Sequence, residues 1–339
     1  MAASSVVLVG NDKGGTVSVL DVEGDRFRLL ADNAVGIGCS TFAVDSGRDL
    51  VFVSVREPDP AIVALRLDRG NGELTEVSRR AVDNPLAYLA LTGDVLLGAS
   101  YHGGWGGTWL VSEDGVVGEQ VSRFANRNLH SGITSPDGRH AYFASLGDDL
   151  IAQFALGADG VLTPLTPPTV PCPPGSGPRH LVVSPDGRNV YLLTEFTAHA
   201  IRFDRASDGT LSQAESVPAF DPGAGLGVSA YGRKPRDEHL IWGADLALAD
   251  GGRRLVCSER TASTVAAILL DEHGRLTDGV VISPTEEQPR GLAVSPDGTR
   301  LIVVGELSGQ ASLYRIESGA LVLLDRVATG VGPNWVRYA

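Results

Sequence analysis

The tetrapeptide Ser-Pro-Asp-Gly occurs three times in this chain, each time between two apolar runs. The three copies are Ser135–Gly138, Ser184–Gly187 and Ser295–Gly298. Together with looser copies, they place turns near positions 46, 93, 137, 186, 251 and 297, which are 47, 44, 49, 65 and 46 residues apart. A repeat of this length that carries several short strands per copy is typical of a β-propeller.

One copy shows how a single blade is built. Leu181–Val183 is a short apolar strand, and the proline and glycine of Ser184–Gly187 favour a reversal of the chain. Val190–Thr194 is the returning strand, rich in β-branched and aromatic residues. Ala200–Asp204 alternates apolar and polar residues as a third strand, and a fourth strand follows a further turn. Four antiparallel strands in about 46 residues make one propeller blade.

Alignment of the innermost strands predicts seven blades. The seven strand starts are Gly38–Thr41, Asn84–Ala87, Asn128–Ser131, Gly177–His180, Trp242–Asp245, Gln288–Gly291 and Gly332–Trp335. The last start has no blade after it, while the first strands, Val6–Gly10 and Thr16–Leu20, have no innermost strand before them. We therefore expect an all-β, seven-bladed β-propeller that occupies residues 1–339 as a single domain. Its last blade is a composite that joins the two termini, and six or eight blades would require a miscounted start.

The composition of the chain limits the partners it can bind and the cellular location we expect for it. The chain has 28 basic and 41 acidic residues, a formal charge of −13, which argues against nucleic acid or an anionic membrane as partner. A local arginine cluster can still bind a small anion. The amino terminus lacks a basic segment before its apolar run and is interpreted as a first strand, and no apolar stretch reaches the ~18–20 residues that span a bilayer. We expect a cytoplasmic monomer or weak homo-oligomer.

The three cysteines support the same expectation. Cys39, Cys172 and Cys257 are odd in number, widely spaced and form no Cys-x-x-Cys pair. This pattern is typical of reduced thiols and not of a disulfide framework or a zinc site.

Two stretches break the repeat. Residues 164–178 are rich in proline and glycine, and residues 218–242 account for the gap of 65 residues. Both precede an innermost strand, so both are expected to lie as loops over the face of the disc where those strands begin. Long loops on a rigid scaffold often border a binding site. The alternative for each loop is a tolerated surface insertion.

Polar residues recur where the innermost strands begin and where the second strands end, and these two positions meet on one face of a propeller. The candidates are His130, Arg179, His180, Asp245 and Arg290 from the strand starts, and Tyr101, Glu195, Glu259, Arg260 and Glu306 from the strand ends. For any one of them the alternative is a solvated charge at the end of a strand. As a set they predict a polar site at the mouth of the central channel.

The chemistry of this set suits an anionic substrate and a proton transfer. Arg179, Arg260 and Arg290 can hold a carboxylate or phosphate in bidentate fashion. His130 can exchange a proton near neutral pH, and Glu195 can orient it or act as the base itself. The chain has no Gly-x-Ser-x-Gly elbow, P-loop or Gly-x-Gly-x-x-Gly helix start, so we expect neither a covalent nucleophile nor a bound cofactor.

These residues resemble those of the seven-bladed propeller lactonases, a family whose bacterial branch contains 6-phosphogluconolactonases. The resemblance is densest in Gly243–Leu246, Arg260–Ser263, Pro284–Gly291 and Gly330–Trp335, and it extends upstream to Gly177–His180, Thr194–Glu195 and His130–Ser131. It implies hydrolysis of 6-phosphogluconolactone to 6-phosphogluconate, a step of the pentose phosphate route. We expect this hydrolysis to be metal-independent, because arginines are interspersed among the carboxylates of the candidate site.

The resemblance also reaches a fungal relative, a carboxymuconate cycloisomerase, whose active set is a histidine, two arginines and a glutamate. The matching positions here are His130, Arg179, Arg260 and Glu195. The implied mechanism has Glu195 or His130 drawing a proton from an attacking water. In it, Arg179 and Arg260 stabilise the oxyanion and hold the anionic group.

The chain also departs from the family pattern. Ala247 stands where the family often has histidine, and Glu259 where aspartate or asparagine is commoner. The loop before Trp242 carries Arg233, Lys234 and Arg236. These departures retain the arginines that can hold an anion, but they leave the identity of the lactone substrate open.

Three other functions remain open from the sequence. A cycloisomerase or lyase acting on a muconate-like acid or another anionic lactone uses the same residue types. A metal-dependent lactonase could draw oxygen ligands from the carboxylates, which are Glu195, Asp245, Glu259 and Glu306. A non-enzymatic propeller that serves as a binding scaffold predicts an aromatic surface patch, whereas aromatic residues make up only 6% of the chain.

Overall fold

The computed structural model describes residues 5–339 as seven four-stranded antiparallel sheets arranged in a ring. The part of the predicted amino-terminal strand that falls on residues 1–4 lies outside the described residues. Blades 1 to 3 contain β4 (Phe42–Asp45), β5 (Leu50–Val55), β6 (Ala61–Leu67), β7 (Leu74–Ala81), β8 (Tyr88–Thr92), β9 (Val95–Ser100), β10 (Trp105–Val111), β11 (Val117–Ala125), β12 (Leu129–Thr134), β13 (His140–Ser145), β14 (Leu150–Leu156) and β15 (Leu162–Pro171). Blades 4 to 6 contain β16 (Pro178–Val183), β17 (Asn189–Thr194), β18 (His199–Arg205), β19 (Leu211–Pro218), β20 (Gly243–Ala249), β21 (Arg254–Glu259), β22 (Thr264–Leu270), β23 (Leu276–Pro284), β24 (Pro289–Val294), β25 (Arg300–Gly305), β26 (Gln310–Glu317) and β27 (Ala320–Ala328). Blade 7 contains β28 (Pro333–Tyr338), β1 (Ser5–Asn11), β2 (Thr16–Glu23) and β3 (Arg26–Ala34).

Blade 7 closes the ring, as the sequence predicts. The carboxy-terminal strand β28 is its innermost strand and pairs antiparallel with β1, with Val336 opposite Val9 and Trp335 opposite Gly10. Strand β28 also packs against the innermost strands of blades 6 and 1, β24 and β4. Joining the two ends of the chain in one sheet leaves the ring without an open seam, so the seven-bladed prediction is confirmed.

The core lies between neighbouring blades. The second strand of a blade is buried along all or nearly all of its length, as β5 and β17 show, because it packs against a blade on each side. The outermost strands alternate buried or half-buried with exposed residues, as β11 does, because one side faces solvent. Burial of each large apolar side chain between blades stabilises the ring by roughly 1.5–3 kcal/mol. All three cysteines are free and buried in these layers.

The Ser-Pro-Asp-Gly phrases form turns between the first two strands of a blade. In the copy at Ser184–Gly187, the serine hydroxyl donates to the Asp186 carboxylate, which also accepts from the Arg188 amide. Gly187 has a φ of +72°, a left-handed conformation in which a side chain would be strained. These turns define one face of the disc, here called the turn face. The innermost strands begin on the other face, here called the entry face.

The two irregular stretches have different structures. Strand β15 extends through Pro171, so the expected loop at 164–178 is reduced to residues 172–177, and its first half is an outermost strand. Its prolines are tolerated because an outermost strand has a free edge that needs no donor. Residues 219–242 do form a long connection between β19 and β20, with one turn of 3-10 helix at Pro222–Ala224. Among residues 5–339, no helix is long and apolar enough to cross a membrane.

Candidate active site

A cavity of about 320 Å³ opens at the entry-face end of the channel. Six of the ten predicted site residues line it, namely Tyr101, His130, Arg179, Glu195, Arg260 and Arg290. The other four, His180, Asp245, Glu259 and Glu306, lie behind or below this wall. The structure therefore brings together all four residues assigned to catalysis and two of the six assigned to substrate binding.

β-Bulges aim several of these side chains into the cavity. At the start of β12, Leu129 pairs with Ser145 and Ser131 pairs with Ala144, so His130 is an extra residue without a cross-strand partner. Arg179 and Arg290 are extra in the same way at the starts of β16 and β24, and Asn334 is extra in β28. A bulge re-aims a side chain and interrupts the alternation of the strand. The repeated bulge therefore places a ring of polar residues at the channel mouth.

Glu195 joins two arginines from different blades. Its Oε2 accepts a hydrogen bond from Nε of Arg179 at 2.8 Å and lies 3.1 Å from Nη2 of Arg260. Burial alone would raise the pKa of Glu195, but Arg260, Arg179 and Arg290 outweigh it and hold that pKa below its usual value. Glu195 is therefore an ionised anchor that fixes the two guanidinium groups.

Arg260 and Arg179 are further held by backbone carbonyls. Arg260 donates to the carbonyl oxygens of Gly243 at 2.8 Å and Trp242 at 3.3 Å, and its guanidinium carbon lies 3.8 Å from the centre of the Trp242 ring. Arg179 donates through Nη1 to the carbonyl of Ala244. Nη2 of Arg179 and Nη1 of Arg260 have no hydrogen-bond partner among residues 5–339. Burial lowers the pKa of Arg260 to about 9, so it remains a cation at neutral pH.

His180 and Asp245 lie below the cavity, in the channel. Nδ1 of His180 is 2.7 Å from Oδ1 of Asp245, and Nε2 is 3.1 Å from Nη1 of Arg179. Burial, reinforced by Arg179, lowers the pKa of His180 to about 3, so its ring is neutral. The pKa of Asp245 is held low because Arg337 and His180 outweigh the effect of burial. These two residues support Arg179 from behind and do not line the cavity.

No hydrogen bond within residues 5–339 engages the imidazole ring of His130. Nδ1 of His130 is buried and has no hydrogen-bond partner in the described part of the chain. Burial and the charge of Arg179 lower the pKa of His130 well below its usual value. His130 is therefore a neutral imidazole with a free nitrogen, 5.7 Å from the ring of Tyr101 between centroids. Burial and the nearby charge of Glu195 raise the pKa of Tyr101 to about 12, so its hydroxyl stays protonated.

Glu259 and Glu306 do not line the cavity but contact groups next to it. The carboxylate of Glu259 accepts hydrogen bonds from the backbone amides of Trp242, Thr261 and Ala262, and it is fully buried away from the cavity. Glu259 is the last residue of β21, whereas Arg260 follows it and points the other way, as alternation along a strand requires. Glu306 lies 3.6 Å from Nη1 of Arg290 and accepts from the Gln288 amide at 2.8 Å.

Sequence reasoning missed five polar residues that line the cavity, Asp12, Ser40, Arg56, His102 and Asn334. The repeat contains a signal for three of them. Asp12 and Arg56 directly follow the second strand of their blades, as Glu195 and Arg260 do, and Asn334 is the third residue of its strand start, as Arg179 is. The basic residues of the 219–242 connection do not line the cavity. Arg233 pairs with Glu238 and Arg236 with Glu287.

The charge of the cavity wall opposes that of the whole protein. Four arginines line it, Arg56, Arg179, Arg260 and Arg290, against two carboxylates, Asp12 and Glu195. Within residues 5–339, no three histidine, cysteine, aspartate or glutamate side chains are grouped so that they could hold a metal ion. The arrangement suits an anion, with fixed N–H donors where negative charge would develop in a reaction.

The fold and the cavity define a class: a seven-bladed propeller with an arginine-rich cavity at the channel mouth. The chain belongs to the seven-bladed β-propeller lactonase family, since the family model described as "Lactonase, 7-bladed beta-propeller" matches residues 5–338. It is 30% identical over 342 residues to a 6-phosphogluconolactonase of Sodalis glossinidius, covering 98% of each chain. It is also 30% identical over 300 residues to one of Klebsiella pneumoniae, covering 86% of each. A solved structure named as the periplasmic gluconolactonase of Pseudomonas aeruginosa shares the fold, with a TM-score of 0.86, 23% identity and 99% coverage of both chains.

Proposed function

We propose that this protein hydrolyses 6-phosphogluconolactone to 6-phosphogluconate, with His130 as the base. The most direct support is that relatives with 30% identity over most of the chain are named 6-phosphogluconolactonase. The observation that carries the proposal is Glu195, whose single oxygen holds Arg179 and Arg260 side by side while each arginine keeps one free Nη group. Two fixed cationic donors in a buried wall suit the oxyanion of a tetrahedral intermediate.

The reaction runs through a direct attack by water. A water oxygen bonds to the lactone carbonyl carbon while His130 takes a proton from that water, and the carbonyl oxygen becomes an oxyanion facing Arg179 and Arg260. Collapse of the intermediate breaks the bond between the carbonyl carbon and the ring oxygen. That oxygen receives the proton from His130 and becomes a hydroxyl group, and the new acid then ionises to a carboxylate.

The protonation states favour His130 over Glu195 as the base. Both have a pKa below the usual value, but Glu195 shares an oxygen with two cations, whereas His130 is neutral and lines the cavity without a hydrogen bond from its ring to any described residue. Glu195 is then a positioning residue for the arginines. A small anionic lactone as substrate, a cytoplasmic location, a monomeric or weakly associated state and the absence of a required metal or cofactor belong to the same proposal.

The test is lactone clearance by the purified protein, corrected for spontaneous hydrolysis. 6-Phosphogluconolactone, gluconolactone and a muconolactone are compared for wild type, Arg179→Ala and Arg188→Ala. Arg188 is a matched control because its side chain is 84% exposed on the turn face. Of these three proteins, we expect only Arg179→Ala to lose clearance, by about 10²–10³-fold, as removal of one oxyanion donor does.

Clearance of every lactone at the background rate by wild type would refute the proposed lactonase activity. Activity on the muconolactone alone would favour the cycloisomerase function. Activity that disappears in chelator and returns with a divalent ion would favour the metal-dependent alternative.

A further inference from the structure

One sector of the cavity rim carries cations that are only loosely paired. It is formed by blades 6, 7 and 1 and contains Arg290 and Arg56, and Lys13 lies next to it against Glu306. Arg290 and Lys13 each lie 3.6 Å from a carboxylate oxygen of Glu306, and Nη1 of Arg56 lies 3.7 Å from Asp12. These separations exceed hydrogen-bonding distance, unlike the 2.8 Å contact between Arg179 and Glu195. Arg56 also donates from Nε to Oε1 of the exposed Glu57 at 3.3 Å, which leaves both of its Nη groups without a hydrogen bond among residues 5–339.

The exposure of these side chains matches the loose pairing. The side chains of Arg56 and Arg290 are 47% and 32% exposed, whereas that of Arg179 is 2% exposed. Arg179 and Arg260 are held by a carboxylate and by backbone carbonyls on the inner wall. The inner pair is therefore fixed, and the rim arginines keep donors that a bound anion can engage.

Asn334 lies in the same sector and provides an independent sign of a ligand. It is the bulged residue of β28 and lines the cavity, and the residue is 1% exposed. Neither its amide nitrogen nor its amide oxygen has a hydrogen-bond partner among residues 5–339. A buried carboxamide without any partner costs free energy, so such a group is rare unless something else satisfies it.

We propose that Arg56, Arg290 and Asn334 form the subsite for the phosphate group of a phosphorylated lactone. The proposal rests on the function proposed above and divides the cavity in two. The inner wall of Arg179 and Arg260 faces the lactone carbonyl, and the rim sector faces the phosphate. A phosphate dianion accepts several charge-assisted hydrogen bonds at once, and planar guanidinium groups suit it. The amide nitrogen of Asn334 supplies a neutral donor at the base of the subsite, and Lys13 adds charge at its edge.

The first experiment measures kcat and KM on 6-phosphogluconolactone and on gluconolactone for wild type, Arg56→Gln, Arg290→Gln and Asn334→Asp. Asn334→Asp keeps the shape but replaces a donor with a negative charge that repels phosphate. Arg253→Gln on the turn face, with a side chain 72% exposed, is the control. We expect each subsite variant to lower the ratio of kcat/KM on the phosphorylated lactone to that on gluconolactone by about 10- to 100-fold, the loss typical of a hydrogen bond to a charged group. The loss should appear in KM.

Equal losses on both lactones would overturn the proposal, because the residues would then serve the lactone ring or the fold. An unchanged ratio would overturn it as well, as would a wild type that clears both lactones without preferring the phosphorylated one. Circular dichroism and thermal melting of each variant establish that it is folded, and the ratio on two substrates cancels any loss of active protein.

A binding experiment separates failure of this proposal from failure of the proposed function. Calorimetric titration with 6-phosphogluconate and with gluconate does not depend on turnover. If wild type clears no lactone but binds 6-phosphogluconate at least tenfold more tightly than gluconate, and Arg290→Gln and Asn334→Asp remove that preference, the hydrolase is refuted and the subsite stands. If wild type clears 6-phosphogluconolactone and no variant alters the preference, the hydrolase stands and the subsite is refuted.

Discussion

His180 donates its Nδ1 proton to Asp245 across 2.7 Å, and this contact determines which ring nitrogen faces Arg179. Because Asp245 is ionised and can only accept, the proton must lie on Nδ1, and Nε2 is left as an acceptor for Nη1 of Arg179. The buried chain thus runs from Asp245 through His180 and Arg179 to Glu195. Three buried polar side chains thus hold in place an arginine that lines the cavity.

The role of Asp245 can be tested with Asp245→Asn. An asparagine can donate to Nδ1 and so reverse the tautomer, which would remove the acceptor for Arg179 and free that guanidinium to move. We expect kcat on 6-phosphogluconolactone to fall about 10- to 100-fold, as for loss of a group that orients another, with little change in KM. Asp278→Asn is the control, since Asp278 is exposed on outermost strand β23. Unchanged kcat in Asp245→Asn would show that the tautomer does not matter.

His130→Asn should remove the proposed base while keeping a polar side chain at the bulge. We expect kcat to fall by about 10²–10⁴-fold, the usual contribution of a general base. The pH profile gives a second measure. Since burial and Arg179 lower the pKa of His130, the base form persists as pH falls, and wild-type kcat/KM should stay level through pH 6.5 and decline only at lower pH. A profile that declines with an apparent pKa near 6.5 would contradict a buried His130 base. A Glu195→Gln variant that loses activity while His130→Asn retains it would transfer the role to Glu195.

Glu195→Gln should lower the free energy of unfolding more than such a small change in structure suggests. The change is isosteric, but it leaves the buried guanidinium groups of Arg179 and Arg260 without their shared counter-charge. We expect the free energy of unfolding to fall by an amount near the lower end of roughly 3–5 kcal/mol, because the cavity admits some water. Urea denaturation measures the loss. The control is Glu119→Gln, which removes an exposed pair with Arg80 and should cost at most about 1 kcal/mol. Similar losses in the two variants would contradict a buried charge cluster.

Stability should depend on the protonation of His180. Its pKa is about 3 in the folded protein and near 6.5 in the unfolded chain, so the unfolded state binds the extra proton between these values. The contribution is fully present above pH 6.5 and is lost as pH falls toward 3. We expect His180 to lower the free energy of unfolding by about 1 kcal/mol per pH unit in this window. His180→Gln should reduce the measured slope accordingly, whereas His273→Gln, an exposed control, should not. Identical slopes in wild type and His180→Gln would exclude the effect.

The bulged strand starts require close packing between innermost strands, which Gly291→Ala would disturb. A Cβ at Gly291 would lie 2.8 Å from the carbonyl oxygen of Asn334 and 3.0 Å from Cα of Trp335, both backbone atoms that cannot rotate away. We expect a loss of roughly 1–3 kcal/mol in stability from overpacking, and weaker binding of 6-phosphogluconate because Asn334 would shift. Gly47→Ala is the control, since its nearest neighbour is a side-chain oxygen at 3.4 Å. Wild-type melting and binding in Gly291→Ala would show that the two strands can separate without cost.

The repeat in the sequence was sufficient to predict the architecture, because each Ser-Pro-Asp-Gly turn is a local structure. Ser184, Asp186 and Gly187 make their hydrogen bonds within five residues, so the same letters give the same turn in the three blades that contain them. Counting strand starts then predicted seven blades and the joining of β28 to β1. It also predicted that His130, Arg179, Glu195 and Arg260 share one mouth of the channel.

Finer placement depended on how strands pair and how side chains alternate within a blade. Glu259 and Arg260 are adjacent in sequence, yet one caps a turn and the other enters the cavity, because a strand alternates its side chains. The proline-rich stretch up to Pro171 became a strand because it pairs with β14 through an irregular register. Neither result follows from residue type alone.

The sequence by itself determined a closed ring of seven blades and the end of the channel where its polar residues collect, because turns and strand periodicity are local properties. Only the tertiary structure decided which polar groups touch the cavity, which are neutral and which lack partners. Those properties arise where Arg179, Glu195 and Arg260 from two blades meet, and where bulges turn His130 and Asn334 inward. Burial and neighbouring charges there set each pKa, and both depend on residues distant in the chain.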